Sequence, residues 1–198
     1  MALPYFMTGP LQLFLFYTVF VIWAAPELLG SFSQRSRGDG SRKDRGSFWV
    51  LIATLTLSLA IALIFAFRLP AARMEPGTSV FFALGIVLIL TGAAIRWYAM
   101  RVLGRFFTRD IATQSGQEVV QEGPYRLVRH PAYTGTLITL VGVGLALTNW
   151  ASLIAMLVVP LAGYLYRISV EERLLQEALG EPYRVYMQKT RRLIPFIW

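Results

Sequence analysis

Apolar runs of membrane-spanning length constrain this chain more than any other feature. A bilayer core needs about 20 apolar residues per helix, and residues 10–29, 48–67 and 79–100 each supply such a run. A fourth apolar stretch, residues 133–166, is too long for one crossing and is interrupted by Thr148, Asn149 and Trp150, so it reads as a tight hairpin of two crossings. The expected fold is all-α: a polytopic membrane protein with five transmembrane helices, the last two forming the hairpin. Composition supports this, with 56% hydrophobic and only 15% charged residues, whereas soluble domains carry about 25% charged residues.

The charges lie between the apolar runs, and their distribution predicts an orientation. Residues 30–47, 96–132 and 167–198 together hold 17 of the Lys and Arg side chains, while residues 68–78 hold two and the hairpin tip none. By the positive-inside rule the richer side is cytoplasmic, which places the N-terminus outside and the C-terminus in the cytoplasm. No Lys or Arg precedes the first apolar run, so that run is expected to be a helix of the bundle and not a cleaved signal peptide. The segment 31–47 is rich in Ser, Gly and Arg and reads as a flexible linker attracted to anionic lipids, in preference to an RNA-binding arm. No internal repeat is evident, which argues against an inverted-repeat transporter.

The residue inventory excludes several chemistries. Without cysteine there are no disulfides, thiolate zinc sites, iron–sulfur clusters or cysteine nucleophiles, and a single histidine rules out a multi-histidine metal site. No metal is expected. The formal charge of +8 does not imply nucleic-acid binding, because the basic residues flank apolar segments and do not form a solvated basic domain.

Polar chemistry gathers in two stretches on either side of the hairpin. In residues 103–135, Gly123-Pro124 signals a turn, and Pro131 suits the first turn of a helix that begins just after His130. The positive end of that helix, beside Arg129 and His130, suits a small carboxylate or phosphate. A lone histidine is more often structural than functional, and Arg129 alone could equally anchor a lipid headgroup. Small residues at Gly135, Thr139, Gly142 and Ala146 form a packing stripe, with Ala151, Ala155 and Ala162 supplying a similar face on the returning helix. In residues 164–175, Arg167 and Glu171 are four apart and share a helix face. On spacing alone this is a surface ion pair worth a few tenths of a kcal/mol. At about 1.5 Å per residue, however, Arg167 lies roughly 24 Å from Ala151, at the membrane edge, where ionisable pairs facing a bundle are more often functional. Beyond Gly180-Glu181-Pro182, Tyr183 and Tyr186 belong either to an interfacial amphipathic helix or to one that closes a pocket.

GPYRLVRHPAYTG, a helical hairpin, RISVEERLL, EPYRVY and RLIPFI follow one another in an order that resembles the isoprenylcysteine carboxyl methyltransferase family. The resemblance covers roughly residues 103–198 and divides the chain into an N-terminal three-helix region, 1–102, and a methyltransferase core, 103–198. It implies transfer of a methyl group from S-adenosylmethionine to the carboxylate of a prenylated cysteine that enters from the bilayer. It also implies a cofactor-gripping strand on Gln117, Glu118, Val119 and Val120, with further cofactor contacts from Tyr125, His130, Pro131, Ala132, Tyr133 and Glu171. Arg167 falls on the arginine that contacts the acceptor, Glu171 would orient Arg167 or the cofactor, and a cytoplasmic C-terminal helix would cover the pocket. Rival readings are methylation of a phospholipid amine or a thiol, and a membrane module that binds lipid without catalysis.

Overall fold

The computed structural model describes the backbone of residues 4–33, 46–107 and 118–195, and their side chains apart from those of residues 23–33 and 105. Among the described residues, six α-helices carry the fold: α1 (Pro10–Ser33), α2 (Ser47–Arg68), α3 (Thr78–Leu103), α4 (Pro131–Ala146), α5 (Trp150–Leu179) and α6 (Glu181–Lys189). Among the described residues there is no strand, only two isolated bridges, Arg73 with Asn149 and Val128 with Arg191. The cofactor-gripping strand is therefore corrected over its described part: Glu118, Val119 and Val120 run without regular secondary structure. Among the described residues they pair with no other segment. Gln117 and most of the basic linker, residues 34–45, lie outside the described residues.

Among the described residues, three helices, α2, α3 and α5, are long and apolar enough to cross a membrane. The described apolar parts of α1 and α4 are shorter, Pro10–Ile22 and Pro131–Ala146. At about 1.5 Å per residue, the 16 residues of α4 extend roughly 24 Å. The expected helix starts are otherwise met closely. Pro131 is the first residue of α4, where its missing N–H costs nothing. The turn predicted at 148–150 lies one residue earlier, at Leu147–Asn149, with Thr148 in the left-handed region at φ 53°.

Close backbone contact joins α3 to α4. A Cβ at Gly92 would lie 2.5 Å from the Gly135 carbonyl oxygen, and one at Gly142 would lie 2.7 Å from that of Gly85, so only glycine permits this approach. The small-residue stripe on α4 thus meets the backbone of α3 through Gly135 and Gly142. Two threonine hydroxyls of α4 bond within their own helix. Thr136 donates to Ala132 O at 3.1 Å and Thr139 to Gly135 O at 3.1 Å.

Helix α2 runs antiparallel to α5 and is fastened to the hairpin tip. Asn149 caps α5 by accepting from Ser152 N at 3.1 Å, and its side-chain amide donates to Phe65 O and Leu69 O at 3.3 and 2.9 Å. Ser152 donates to Ala62 O at 2.7 Å. These bonds fix the register of α2, and with it what α2 presents at the other end of α5.

Candidate functional site

At the end of the hairpin away from its tip, α4 begins, α5 overruns its partner by several turns, and α6 folds back. A cavity of about 110 Å³ lies there. Its walls come from Leu103, Phe106 and Phe107 at the end of α3, from Glu118, Val119 and Val120, from Tyr125, Arg129, His130, Ala132 and Tyr133, and from α5 and α6.

Of the sequence-predicted residues, Glu118, Val119, Val120, Tyr125, His130, Ala132, Tyr133, Arg167 and Glu171 all line this one cavity. Pro131 does not join the lining; it is buried in the first turn of α4 and sets the bend between His130 and Ala132. A proline at N1 arrives with the φ of a helix, so the chain can leave an extended segment and enter α4 within one residue.

Arg167 and Glu171 do not form a surface pair, because Arg167 is only 4% exposed. The hydroxyl of Tyr133 bridges them: Arg167 Nε donates to it at 2.9 Å, and it donates to Glu171 Oε2 at 2.7 Å. Tyr133 comes from the first turn of α4, so the bridge also ties α4 to α5. The guanidinium is further held by Ser47 Oγ, which accepts from Nη1 at 3.3 Å, and by the Phe48 ring, whose centroid is 5.9 Å from Cζ.

Glu172, one residue on, points to a different set of partners. Successive helical residues are turned by about 100°, so Glu171 meets the cavity while Glu172 is buried at 2% exposure in a cationic cluster. Arg129 Nε donates to it at 2.7 Å, Arg192 Nε donates at 3.0 Å, and His130 Nε2 lies 3.3 Å away. Arg129 also donates to the carbonyls of Met187 and Thr190 at 3.1 and 2.5 Å, and its side chain is 8% exposed. It is therefore an internal tie and not a headgroup anchor.

The segment after α6 is pinned by the same cluster. Arg129 N and His130 N donate to Arg191 O and Arg192 O at 2.7 and 3.0 Å, and Thr134 Oγ1 donates to Leu193 O at 2.8 Å. Thr190 to Leu193 are thereby held beside the entry to α4, and α6 turns Tyr183 and Tyr186 into the cavity wall. Tyr186 donates to Tyr125 O at 2.8 Å. Burial, reinforced by the charge of Glu171, pushes the hydroxyls of Tyr125 and Tyr183 above the ordinary phenol range. They remain neutral donors near neutral pH.

Sequence reasoning missed the Glu172 cluster. Its only local signal is the Glu171-Glu172 doublet, since Arg129 is 43 residues away and Arg192 is 20. Among the described residues no group of His, Cys, Asp and Glu is arranged to hold a metal ion.

A family profile for phospholipid methyltransferases matches residues 80–182, from the first turn of α3 to the first turn of α6. Similar chains include the probable protein-S-isoprenylcysteine O-methyltransferase of Oryza sativa subsp. indica, 36% identical over 115 residues, or 57% of this chain and 60% of the relative. Protein-S-isoprenylcysteine O-methyltransferase B of Arabidopsis thaliana is 36% identical over 57% of this chain and 58% of its own length. The Saccharomyces cerevisiae protein-S-isoprenylcysteine O-methyltransferase is 34% identical over 58% of this chain and 48% of its own. The chain thus spans about half to three fifths of these relatives, and their names agree with the resemblance carried by the hairpin motifs. The matched region contains the whole hairpin and all the cavity-lining residues of α4 and α5, and its long apolar helices mark an integral membrane protein. With just over half of its residues matched, the chain belongs to the phospholipid methyltransferase family.

Proposed function

We propose that this protein is a membrane-embedded methyltransferase that moves a methyl group from S-adenosylmethionine to the carboxylate of a lipophilic acceptor such as an isoprenylcysteine. The observation that carries this reading is the placement of a buried arginine, Arg167, and a carboxylate, Glu171, on one cavity beside four tyrosines. Such a lining suits the donor, whose sulfonium is attracted to Glu171 and to the faces of Tyr125, Tyr133, Tyr183 and Tyr186, and whose amino-acid carboxylate matches His130 at the start of α4. Glu118, Val119, Val120 and Ala132 offer edges for its remaining parts, with Gln117 and Pro131 adjoining them in sequence.

When bound, S-adenosylmethionine supplies an electrophilic methyl: the acceptor oxygen forms a C–O bond as the C–S bond breaks, and the electron pair of that bond stays on sulfur. No general base is required, because a carboxylate is already ionised near neutral pH. Arg167 grips the acceptor carboxylate with its planar guanidinium, Tyr133 and Glu171 fix the guanidinium, and the aromatic walls exclude water.

The surrounding architecture follows from this reading. Residues 103–198 form the catalytic core, α6 covers the donor, and residues 1–102 complete a five-span bundle. The N-terminus lies outside, the C-terminus lies in the cytoplasm, and the basic linker faces anionic lipids. The relatives named for isoprenylcysteine support a prenylated acceptor. The name of the matched profile favours one alternative, a phospholipid amine.

The test uses the full chain in nanodiscs with radiolabelled S-adenosylmethionine and a panel of prenylcysteine, lipid-amine and thiol acceptors. Methyl transfer to the prenylcysteine, at a rate nearly flat above the acceptor carboxylate's pKa, is expected. A rate that rises with pH through an amine's pKa, on the lipid amine alone, would replace the carboxylate reading.

A further inference from the structure

The region of the chain that precedes the family match makes contact with Arg167, a residue of the cavity lining. Helix α2 precedes residue 80, where the matched region begins, yet its first residue, Ser47, is fully buried and accepts from Arg167 Nη1 at 3.3 Å. Its second residue, Phe48, places its ring 5.9 Å from the same guanidinium.

The register of the two helices makes this contact more than incidental. At the hairpin tip, Ser152 of α5 donates to the carbonyl of Ala62 on α2. Fifteen residues further along α5 is Arg167, and fifteen residues back along α2 is Ser47. Two antiparallel helices fastened at the tip thus deliver the start of α2 to Arg167 about 22 Å away, at the ordinary rise of a helix. The guanidinium is then fixed from two directions, by Tyr133 at Nε and by Ser47 at Nη1, with an aromatic ring beside it. A planar group held at two edges cannot swing about its long side chain, and that restraint is what a two-point grip on a carboxylate requires.

We propose that Ser47 is a positioning residue for methyl transfer, setting the plane in which Arg167 meets the acceptor carboxylate, with Phe48 supporting it. This rests on the methyltransferase reading above. It assigns α2 a part in acceptor recognition, whereas the donor is held by α4, α5 and α6.

The experiment measures transfer from S-adenosylmethionine to N-acetyl-S-farnesylcysteine by the full chain in nanodiscs, with donor affinity measured separately by calorimetry. Ser47→Ala is expected to lower acceptor kcat/KM about tenfold, as for loss of a hydrogen bond to a charged group, while donor Kd moves by less than about twofold. Ser47→Thr, which restores a hydroxyl, is expected to recover most of that loss. In an Arg167→Lys background, Ser47→Ala should cost less than about twofold, because the group it aims is gone. Equal losses in both backgrounds, or a Ser47→Ala variant with wild-type acceptor kinetics, would overturn the proposal while leaving the methyltransferase reading in place. A wild-type chain that binds no donor and methylates no acceptor would take down both.

Discussion

The two ends of the α4–α5 hairpin bury polar groups in an otherwise apolar bundle, and they do so with different chemistry. At the tip, Asn149 and Ser152 are almost fully buried, and the bonds they make are neutral and end on backbone groups of α2 and α5. At the other end, the buried groups are ions: Arg129 pairs with Glu172, Arg167 bonds the hydroxyls of Tyr133 and Ser47, and both arginines line a cavity. A neutral amide whose bonds are satisfied costs little to bury, and at the tip it fixes a turn. Buried ions cost several kcal/mol each before pairing, and apolar residues of the same volume would often stabilise a bundle as well or better. Where a bundle keeps them around a cavity, binding or chemistry is the more economical explanation.

The largest expected effect tests the charged end. Glu172→Ala leaves Arg129, Arg192 and His130 around a missing anion and frees the segment after α6, so stability should fall by about 3–5 kcal/mol, as for removing one partner of a buried ion pair. Denaturant unfolding of the purified chain in detergent would measure it. A loss no larger than that of a neutral cap would erase the distinction between the two ends.

Next in size is a change that leaves the charge in place. Arg167→Lys keeps a cation but loses the planar grip and the Nε bond to Tyr133, and single-turnover methyl transfer at saturating donor should slow by about two orders of magnitude. Donor affinity and thermal stability, checked on the same preparation, should be nearly unchanged. Near-normal turnover would leave Arg167, Tyr133 and Glu171 a purely structural tie between α4 and α5.

The smallest effect belongs to the tip. Asn149→Ala removes the α5 cap and two bonds to α2, for a loss of about 1–2 kcal/mol in stability. If the tip serves only to fix register, methyl transfer in the folded fraction should change much less than in Arg167→Lys. A comparable loss of turnover would show that the register set at Ala62 and Ser152 governs the cavity directly.

The sequence by itself determined the elements. Unbroken apolar runs can satisfy their backbone only as helices, Asn149 stops one helix and caps the next, and Pro131 starts α4 because its φ and missing N–H fit no other helical position as well. Motif order placed Tyr125, His130, Tyr133, Arg167 and Glu171 as one group, and they do line one cavity. Tertiary structure alone decided which faces meet. The stripe on α4 is equally compatible with α3 and α5 until Gly85 and Gly92 admit it to within backbone contact. The roles of Glu171 and Glu172 diverge only when Arg129, Arg192 and Tyr133 arrive from elsewhere in the chain. Ser47 reaches Arg167 across 120 residues. Local spacing records how side chains are arranged on one helix, but the partners that turn an arginine into a held guanidinium, or a glutamate into a tie, depend on helix register, and no local pattern encodes it.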